Sequence, residues 1–341
     1  MGYMVVRTDM TGRRASRRKV AIITTGGTIA CRIDESGKLL PVVSGTELIS
    51  LVPGLEQIAD LELISFAQIS SWNITPAWML ELAQQIDQAS AQGLDGIVVT
   101  HGTDTLEETA YFLDLTVQSR CPVVITGAMR NNSEPSPDGP RNLLNAIRVA
   151  SSPAAPADGV LVVFNDEIHR PKEVTKTHTS SVSTFQSPFA GPIGYADGAE
   201  VVFVRQPLSH RRVRPVTAGL DVFLIKASAG ASNSLMRCCI DLGADGIVLE
   251  GTGLGHVPAD WVPTIRDAIG KEIPVVLTSR TLGGRVRPLY GDVGGGQELS
   301  EAGVINGGSL SGPKARIKLI VGLGAGMKDG ELRDFFGEDA A

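Results

Sequence analysis

Three short segments carry side chains that could perform chemistry, and each lies at or after the end of an apolar run. They span residues 24–30 (TTGGTIA), 100–105 (THGTDT) and 173–178 (EVTKTH). Together they offer threonine hydroxyls, one lysine and one aspartate. A lysine beside a hydroxyl and a carboxylate can accept or relay a proton if burial lowers its pKa. The three segments therefore favour a reaction that uses an activated hydroxyl.

Each segment also fits a purely structural role. The glycine pair before Thr28 suits a tight turn with the threonine as a cap. A phosphate-binding loop is a rival interpretation, although the segment matches neither GxGxxG nor GxxxxGK[ST]. Asp104 could cap the helix that follows it, and Lys176 could be an ordinary surface lysine. The residues alone leave these alternatives open.

Other common chemistries lack the residues that they need. The five histidines form neither an HExxH pattern nor a Cys/His zinc pattern. The chain also has no G-x-S-x-G elbow for a serine nucleophile. We therefore expect no metal site.

Length, composition and charge are those of an ordinary globular protein. At 341 residues the chain exceeds the roughly 250–300 residues that one core fills, so we expect two domains. Its 43% hydrophobic and 20% charged residues exclude disorder and disulfide scaffolds.

The net charge is −6, although residues 1–19 hold six basic side chains against one acidic. An acidic body does not suit a nucleic-acid binder, and we predict that residues 1–18 form a mobile basic tail, with a targeting or nucleic-acid arm as the alternative.

The chain has no sequence feature of a membrane or secreted protein. No run approaches the 18 or so apolar residues of a membrane span. The four cysteines lack CxxC spacing, which favours buried thiols in a reducing compartment. Cys238 and Cys239 share a helical stripe with Leu235 and Leu242, so we expect both cysteines in the core. The protein is predicted to be cytoplasmic.

Apolar runs rich in β-branched residues alternate with helical patterns. The runs occupy residues 19–27, 96–102, 122–128 and 160–166. Continuous apolar strands are typical of a parallel sheet covered on both faces, so the fold is predicted to be α/β. Thr75-Pro76 predicts a helix start, and the apolar stripe that follows comprises Met79, Leu82, Ala83 and Ile86. Ligands of such sheets bind beyond the carboxyl ends of strands, where the three segments lie.

The two halves of the chain share short strings. Asp95-Gly-Ile-Val with a following Gly-Thr recurs from Asp245, about 150 residues later. This repetition predicts two α/β domains of related plan, with chance similarity between β-rich strings as the alternative. Asp104 follows the first Gly-Thr, whereas glycine follows the second, so we expect one working site in the first domain. The domains are predicted at residues 19–204 and 220–341, joined by a surface linker at residues 205–219.

Taken together, the motifs resemble those of the bacterial-type L-asparaginase family. Its marks are a TGGTIA strand end and an HGTDTxEETA segment, which occur here at residues 25–30 and 101–110. The strings YFLDLTV, GAMR, EVTKT and GPKAR also match, and the resemblance covers about residue 19 to the end. It implies a larger flavodoxin-like N-terminal domain with a mainly parallel sheet and a smaller C-terminal α/β domain. It also implies hydrolysis of L-asparagine to L-aspartate and ammonia, without metal or organic cofactor, in a homotetramer built from close dimers.

The resemblance assigns roles by position. Thr28 corresponds to the nucleophile, and Thr103, Asp104 and Lys176 correspond to the group that activates a hydroxyl or water. Ser71 matches the serine that holds the α-carboxylate of the substrate. The other predicted substrate-binding residues are Gly27, Trp72, Gly102 and Ala128. Such a set supplies the nucleophile, the proton relay and the oxyanion donors that amide hydrolysis needs.

Three positions depart from the family pattern. The lid segment at residues 32–43 has no tyrosine, and residues 38–40 occupy the approximate place of that side chain. Trp72 stands where the family has a glutamine. The glutamate lent by a neighbouring subunit has no clear match in residues 283–297, where Tyr290 and Asp292 are the candidates. Substrate affinity and the preference between asparagine and glutamine therefore stay open.

Two other functions compete with an asparaginase. One is a related amidase, such as a glutaminase or the asparaginase-like subunit of a tRNA amidotransferase. That subunit carries an extra N-terminal domain, and with 24 residues before Thr25 we expect this chain to lack one. The other is an amino-acid-binding sensor that kept the pocket and lost the chemistry. The intact threonines, Asp104 and Lys176 favour an enzyme.

Overall fold

The computed structural model describes residues 17–33, 38–40, 43–157, 159–206 and 210–340. Its contacts divide the chain into two compact units, one ending at residue 209 and the other beginning at residue 210. The predicted basic tail lies outside the described residues except for its last two positions, and so do residues 207–209 of the predicted linker. Residues 210–219, which are described, contain no helix or strand. The domain boundaries and the linker stay predictions.

The described residues of the first unit form a large sheet, two small two-stranded sheets and the helices that cover the large sheet. Its strands are β1 (Arg18–Gly26), β2 (Arg32–Ile33), β3 (Leu39–Leu40), β4 (Ala59–Ile69), β5 (Gly96–Thr100), β6 (Val123–Thr126), β7 (Val160–Phe164), β8 (Glu167–His169), β9 (Thr175–Lys176), β10 (Phe185–Gln186), β11 (Gly194–Asp197) and β12 (Glu200–Phe203). Its helices are α1 (Gly45–Ser50), α2 (Pro76–Ser90), α3 (Leu106–Thr116) and α4 (Gly139–Ala150). Val20 and Ile22 of β1 pack with α1 and α4 in one apolar cluster. Because successive strand residues face opposite sides, the sheet buries both faces.

Strand order identifies where this sheet binds ligands. Within the described residues the sheet has eight strands in the order β12-β11-β8-β7-β6-β5-β1-β4. The five parallel strands, taken along the chain, follow the order 2-1-3-4-5 of flavodoxin-like sheets. The order reverses between β1 and β5, where Thr24 pairs with Thr100. A crevice opens beyond the carboxyl ends of strands at such a switch point.

The elements predicted for this unit are confirmed. The four apolar runs form β1, β5, β6 and β7, and residues 20–26 of β1 are all buried. The Thr75 hydroxyl accepts the Trp78 N–H at 3.3 Å and caps α2, with Pro76 in its first turn. The predicted stripe of α2 is buried at Met79, Leu82, Ala83 and Ile86. The local sequence pattern was therefore sufficient to predict these elements.

The second unit is a smaller parallel α/β domain. Its strands are β13 (Val222–Lys226), β14 (Gly246–Gly251), β15 (Val275–Ser279) and β16 (Ile305–Asn306), in that order across the sheet. Its helices are α5 (Ser234–Asp241), α6 (Val262–Gly270), α7 (Gly296–Glu301), α8 (Gly312–Gly324) and α9 (Asp329–Ala340). The predicted fold class, two α/β domains with the larger one first, is confirmed. No helix in the described part of the chain is long and apolar enough to cross a membrane.

The repeated strings make the same contacts in both units. The Asp95 carboxylate accepts the Lys19 N–H at 2.8 Å, and the Asp245 carboxylate accepts the Asp221 N–H at 2.7 Å. The N–H of each aspartate donates to the carbonyl of the same partner residue, at 2.8 and 3.0 Å. Each aspartate thus joins the start of one parallel strand to its neighbour. The sequence similarity between the halves has a structural counterpart.

The expected core stripe on α5 is wrong for Leu235, Cys238 and Leu242 and correct for Cys239. Met236, Cys239 and Ile240 face the core, whereas Leu235 is 68% exposed and Cys238 is exposed. Leu242, just beyond the helix, is 76% exposed. The spacing shows an apolar stripe, but the sheet packs against the side of the helix next to it. Cys31, Cys121 and Cys239 are buried as expected.

Candidate active site

Two glycines meet where β1 and β5 end. Gly27 follows β1 with φ 78° and ψ 179°, a backbone conformation that side chains other than hydrogen strongly disfavour. A Cβ on Gly27 would overlap the backbone of Gly102, which follows β5. The Thr25 hydroxyl donates to the Thr100 carbonyl at 2.8 Å and ties the two strand ends together. Glycine is therefore required where the two strand ends touch.

Thr28 stands at the end of β1 in a short 3-10 turn. The turn spans Thr28–Ala30, and the Cys31 N–H donates to the Thr28 carbonyl at 2.9 Å. Ile29 and Ala30 are buried and anchor the turn, while Thr28 is only partly buried. The Cys31 thiol, whose pKa burial raises, donates to the Gly27 carbonyl at 3.2 Å. The turn thus keeps Thr28 accessible on a fixed backbone.

Ser71 brings the end of β4 to the same crevice. Its hydroxyl accepts the Asp104 N–H at 3.2 Å, and its carbonyl accepts the Thr105 hydroxyl at 2.8 Å. A Cβ on Gly102 would lie 2.7 Å from the Ser71 hydroxyl oxygen. Ser71 is 3% exposed, whereas the next residue, Trp72, is 70% exposed. The serine is thus packed into the site, and the indole extends into open space beside it.

Lys176 connects the second and third predicted segments. Its Nζ donates to Thr103 Oγ1 at 2.9 Å and to Asp104 Oδ1 at 2.7 Å. The lysine side chain is 17% exposed and that of Asp104 is 49% exposed. The structure therefore joins hydroxyl, amine and carboxylate in one hydrogen-bonded chain. This arrangement lets the amine, when unprotonated, take a proton from the threonine hydroxyl.

Ala128 follows β6 in a loop that other side chains hold. Asn142 Nδ2 donates to the Gly127 carbonyl at 3.0 Å, and the Asp138 carboxylate accepts the Met129 N–H at 3.0 Å. Ala128 itself is fully buried. A Cβ on Gly127 would lie 3.5 Å from Cγ2 of Thr103, so this loop lies beside the hydrogen-bonded chain that contains Lys176. Sequence analysis assigned no role to Asp138 and Asn142, although residues 138–143 read DGPRNL, a string that also resembles the family.

His101 lies directly beneath the site and was not predicted to matter. It is fully buried, and its Nδ1 lies 2.7 Å from the Gly102 carbonyl oxygen. Burial lowers the pKa of His101 to about 4, and the hydrogen bond to Gly102 only partly opposes this shift. The ring is therefore neutral near pH 7 and donates its Nδ1 proton to that carbonyl. The rings of Trp78 and His101 pack in a T-shaped arrangement, with their centroids 6.2 Å apart.

Besides Trp72, the departures from the family pattern are the lid segment and the segment at residues 283–297. Residues 34–37 and 41–42 of the lid segment lie outside the described residues, and Lys38 is exposed. The segment at residues 283–297 belongs to the second unit, where the Tyr290 ring lies 4.9 Å from that of His256. Among the residues that the structure describes, no group of three or more His, Cys, Asp or Glu side chains could hold a metal ion.

Comparison with known proteins shows the family. The family model for the N-terminal domain of asparaginase matches residues 19–209, and the model for the glutaminase/asparaginase C-terminal domain matches residues 221–336. The chain is 41% identical to a probable L-asparaginase of Deinococcus radiodurans over 326 residues, 94% of this chain and 98% of that protein. It therefore belongs to the asparaginase family of hydrolases.

Two further relatives extend this similarity. A glutamyl-tRNA(Gln) amidotransferase subunit from Methanosarcina mazei is 35% identical over 319 residues, 90% of this chain and 74% of that protein. The crystal structure of a probable cytoplasmic L-asparaginase from Campylobacter jejuni superposes with a TM-score of 0.84 at 32% identity, covering 94% of this chain and 99% of that one. The likeness thus extends over both units.

Proposed function

We propose that this protein hydrolyses L-asparagine to L-aspartate and ammonia. The observation that carries the proposal is the Thr103-Lys176-Asp104 chain, with Nζ distances of 2.9 and 2.7 Å, at the crevice beside Gly27 and Thr28. Family membership and the name of the Deinococcus radiodurans relative support the choice of asparagine. The proposed reaction needs neither metal nor organic cofactor.

In this mechanism the Thr28 hydroxyl attacks the carboxamide carbon of the substrate. Backbone N–H groups at the glycine-rich strand ends stabilise the negative oxygen of the tetrahedral intermediate. The amide nitrogen takes up a proton and leaves as ammonia, which gives an ester on Thr28. A water molecule then attacks this ester and releases aspartate, restoring the threonine hydroxyl.

The Thr103, Asp104 and Lys176 group moves the protons of both steps. Unprotonated Lys176 takes the proton of the Thr103 hydroxyl, which in turn takes one from the attacking Thr28 hydroxyl or water. The Asp104 carboxylate keeps the amine in place and stabilises its protonated form. Ser71 binds the α-carboxylate of the substrate, and Ala128 contacts the substrate near its amide.

The proposal includes the assembly and the compartment. We expect a homotetramer of close dimers, because the resemblance places part of each site on a neighbouring chain. We expect the protein in the cytoplasm, as the name of the Campylobacter jejuni structure states for that protein. Both expectations are separate from the chemistry and are tested separately.

Ammonia release from a panel of amides tests the function. The panel contains L-asparagine, D-asparagine, L-glutamine and simple amides, with a coupled assay for ammonia. We expect the highest kcat/KM with L-asparagine. Higher kcat/KM with glutamine would make the protein a glutaminase. Thermal stabilisation by an amino acid without turnover of any amide would favour the sensor function.

A further inference from the structure

We propose that Glu107 is a positioning residue for Lys176, because its carboxylate binds the backbone N–H of that lysine. The inference rests on the proposed amide hydrolysis, in which Lys176 relays protons. Glu107 Oε2 accepts the Lys176 N–H at 3.2 Å. Glu107 is partly buried in the first turn of α3, where the helix dipole favours a negative charge.

The register of the hairpin explains why this N–H needs a partner. Lys176 lies on β9, which pairs with β10 so that Lys176 faces Phe185. The next amide, that of Thr177, points toward β10 and donates to the Thr184 carbonyl at 2.8 Å. Neighbouring amides of an antiparallel strand point in opposite directions. The Lys176 N–H therefore points out of the hairpin, toward Glu107.

Residues 103–107 thus bind Lys176 at two points, its side-chain amine and its backbone N–H. Thr103 and Asp104 bind its amine at 2.9 and 2.7 Å, and Glu107 binds its backbone. The two binding sites are separated by the four methylene groups of the side chain, and each torsion along them has about three staggered rotamers. Fixing the Lys176 backbone relative to α3 sets the distance that the side chain must span to place its amine on Thr103. Glu107 thereby controls how well the amine is aligned with the hydroxyl.

Other contacts keep the hairpin in place when Glu107 is changed. The Phe185 ring is buried and lies 4.6 Å, centroid to centroid, from that of Phe164 on β7. After β10, the Ser187 hydroxyl lies 3.0 Å from Nδ1 of His169 on β8. These anchors are on the sheet side and do not involve α3. Loss of the Glu107 contact should therefore misalign Lys176 without unfolding the hairpin.

The kinetic test compares two substitutions at one position. In Glu107→Leu the acceptor is lost, and we expect kcat to fall by about 10–100-fold while KM changes by less than about threefold, since small misplacements cost this much in rate. Glu107→Gln keeps an acceptor oxygen and should restore kcat to within about fivefold of the wild type. Glu81→Leu, at an exposed glutamate of α2, is the matched control and should leave kcat unchanged. Wild-type kcat in Glu107→Leu would overturn the proposal.

Hydrogen exchange gives a readout that does not depend on turnover. The Lys176 amide should exchange faster in Glu107→Leu than in the wild type, while the Thr177 amide stays protected. Equal exchange of the Lys176 amide would overturn the proposal even if activity fell. If the wild type hydrolyses no amide, the proposed function fails, and exchange alone decides whether Glu107 holds Lys176. Should Glu107→Leu not fold, Glu107→Asp, whose carboxylate is one methylene shorter, replaces it in both measurements.

Discussion

At the scale of single residues, Thr28, Thr103 and Lys176 carry the reactive groups of the proposed site. We expect Thr28→Ala, Thr103→Val and Lys176→Met each to lower kcat by more than about 100-fold, because each removes an atom that bonds or transfers a proton. The midpoint of urea unfolding should change little for the two threonine variants. Steady-state ammonia release measures the effect. Activity within tenfold of the wild type, about 1.4 kcal/mol in barrier height, would exclude a residue from a central role.

Trp72 is the departure from the family pattern that lies next to Ser71. Its indole is 70% exposed at the site, where it cannot replace the hydrogen bonds of a glutamine amide. The missing contacts should raise KM, and the added bulk should disfavour glutamine, which is one methylene longer, by about 10–200-fold in kcat/KM. Trp72→Gln should lower KM for asparagine and reduce this discrimination. Unchanged kcat/KM for both amides after substitution would place the indole outside the substrate pocket.

Burial of His101 makes the free energy of unfolding depend on pH. Burial holds the pKa of His101 at about 4 in the folded protein, below its ordinary value of 6.5. Between these values the unfolded chain binds a proton that the folded chain does not, so the free energy of unfolding falls as the pH falls. At about 1.4 kcal/mol per pKa unit, the full loss is roughly 3 kcal/mol. Urea unfolding at pH 7 and pH 4.5 should show a smaller loss in His101→Gln than in the wild type; equal losses would contradict this.

At the scale of elements, the contact between the ends of β1 and β5 shapes the site. Gly27 and Gly191 have similar φ angles, 78° and 73°, but a Cβ overlaps backbone at Gly27 and meets nothing within 4 Å at Gly191. Alanine at Gly191 should cost about 1 kcal/mol of unfolding free energy from backbone strain alone, and alanine at Gly27 about 3 kcal/mol. Chemical denaturation of both variants measures the difference. Equal costs would mean that the strand ends can move apart freely.

The helices show how far periodicity predicts burial. The stripe of α2 is buried as predicted because Thr75 and Pro76 fix where the helix begins and one face is clearly more apolar. In α5 the stripe with Leu235 and Cys238 is exposed, because Met236 and Ile240 form a second apolar face that packs on the sheet. A helix with two apolar faces does not reveal which one meets the core. The helix itself was predicted correctly, and the wrong face was chosen because the position of the sheet that packs on it is not encoded in the helix.

At the scale of the whole molecule, we predict that four chains associate. Leu235 and Leu242 expose apolar surface on the second unit, as surfaces that bind partners often do. We expect light scattering after size exclusion to give the mass of four chains of 35.9 kDa. Specific activity should fall on dilution below the dissociation constant, since the proposed site uses a neighbouring chain. A monomer with full specific activity would refute this prediction.

Local sequence was sufficient to predict the main strands and the residue types that follow their ends. The apolar runs at residues 19–27, 96–102, 122–128 and 160–166 predicted strands of the parallel sheet, since continuous burial leaves its mark in local composition. The TGGTIA and HGTDT strings made Thr28, Thr103 and Asp104 candidates because they follow those strands, and the family resemblance assigned their roles. Strand ends and residue types are local properties, and a single chain displays them directly.

Long-range packing was needed to bring these groups together. Lys176 lies 73 residues from Thr103 in sequence, and their 2.9 Å contact depends on the β9–β10 hairpin lying beside α3. Strand order, which places Gly27 against Gly102, and hairpin register, which points the Lys176 N–H at Glu107, follow from the packing of many distant residues. The spacing of residues along the chain carries no direct record of that packing. Glu107 and His101 therefore belong to a motif that the sequence displays, but their contacts emerged only from the fold.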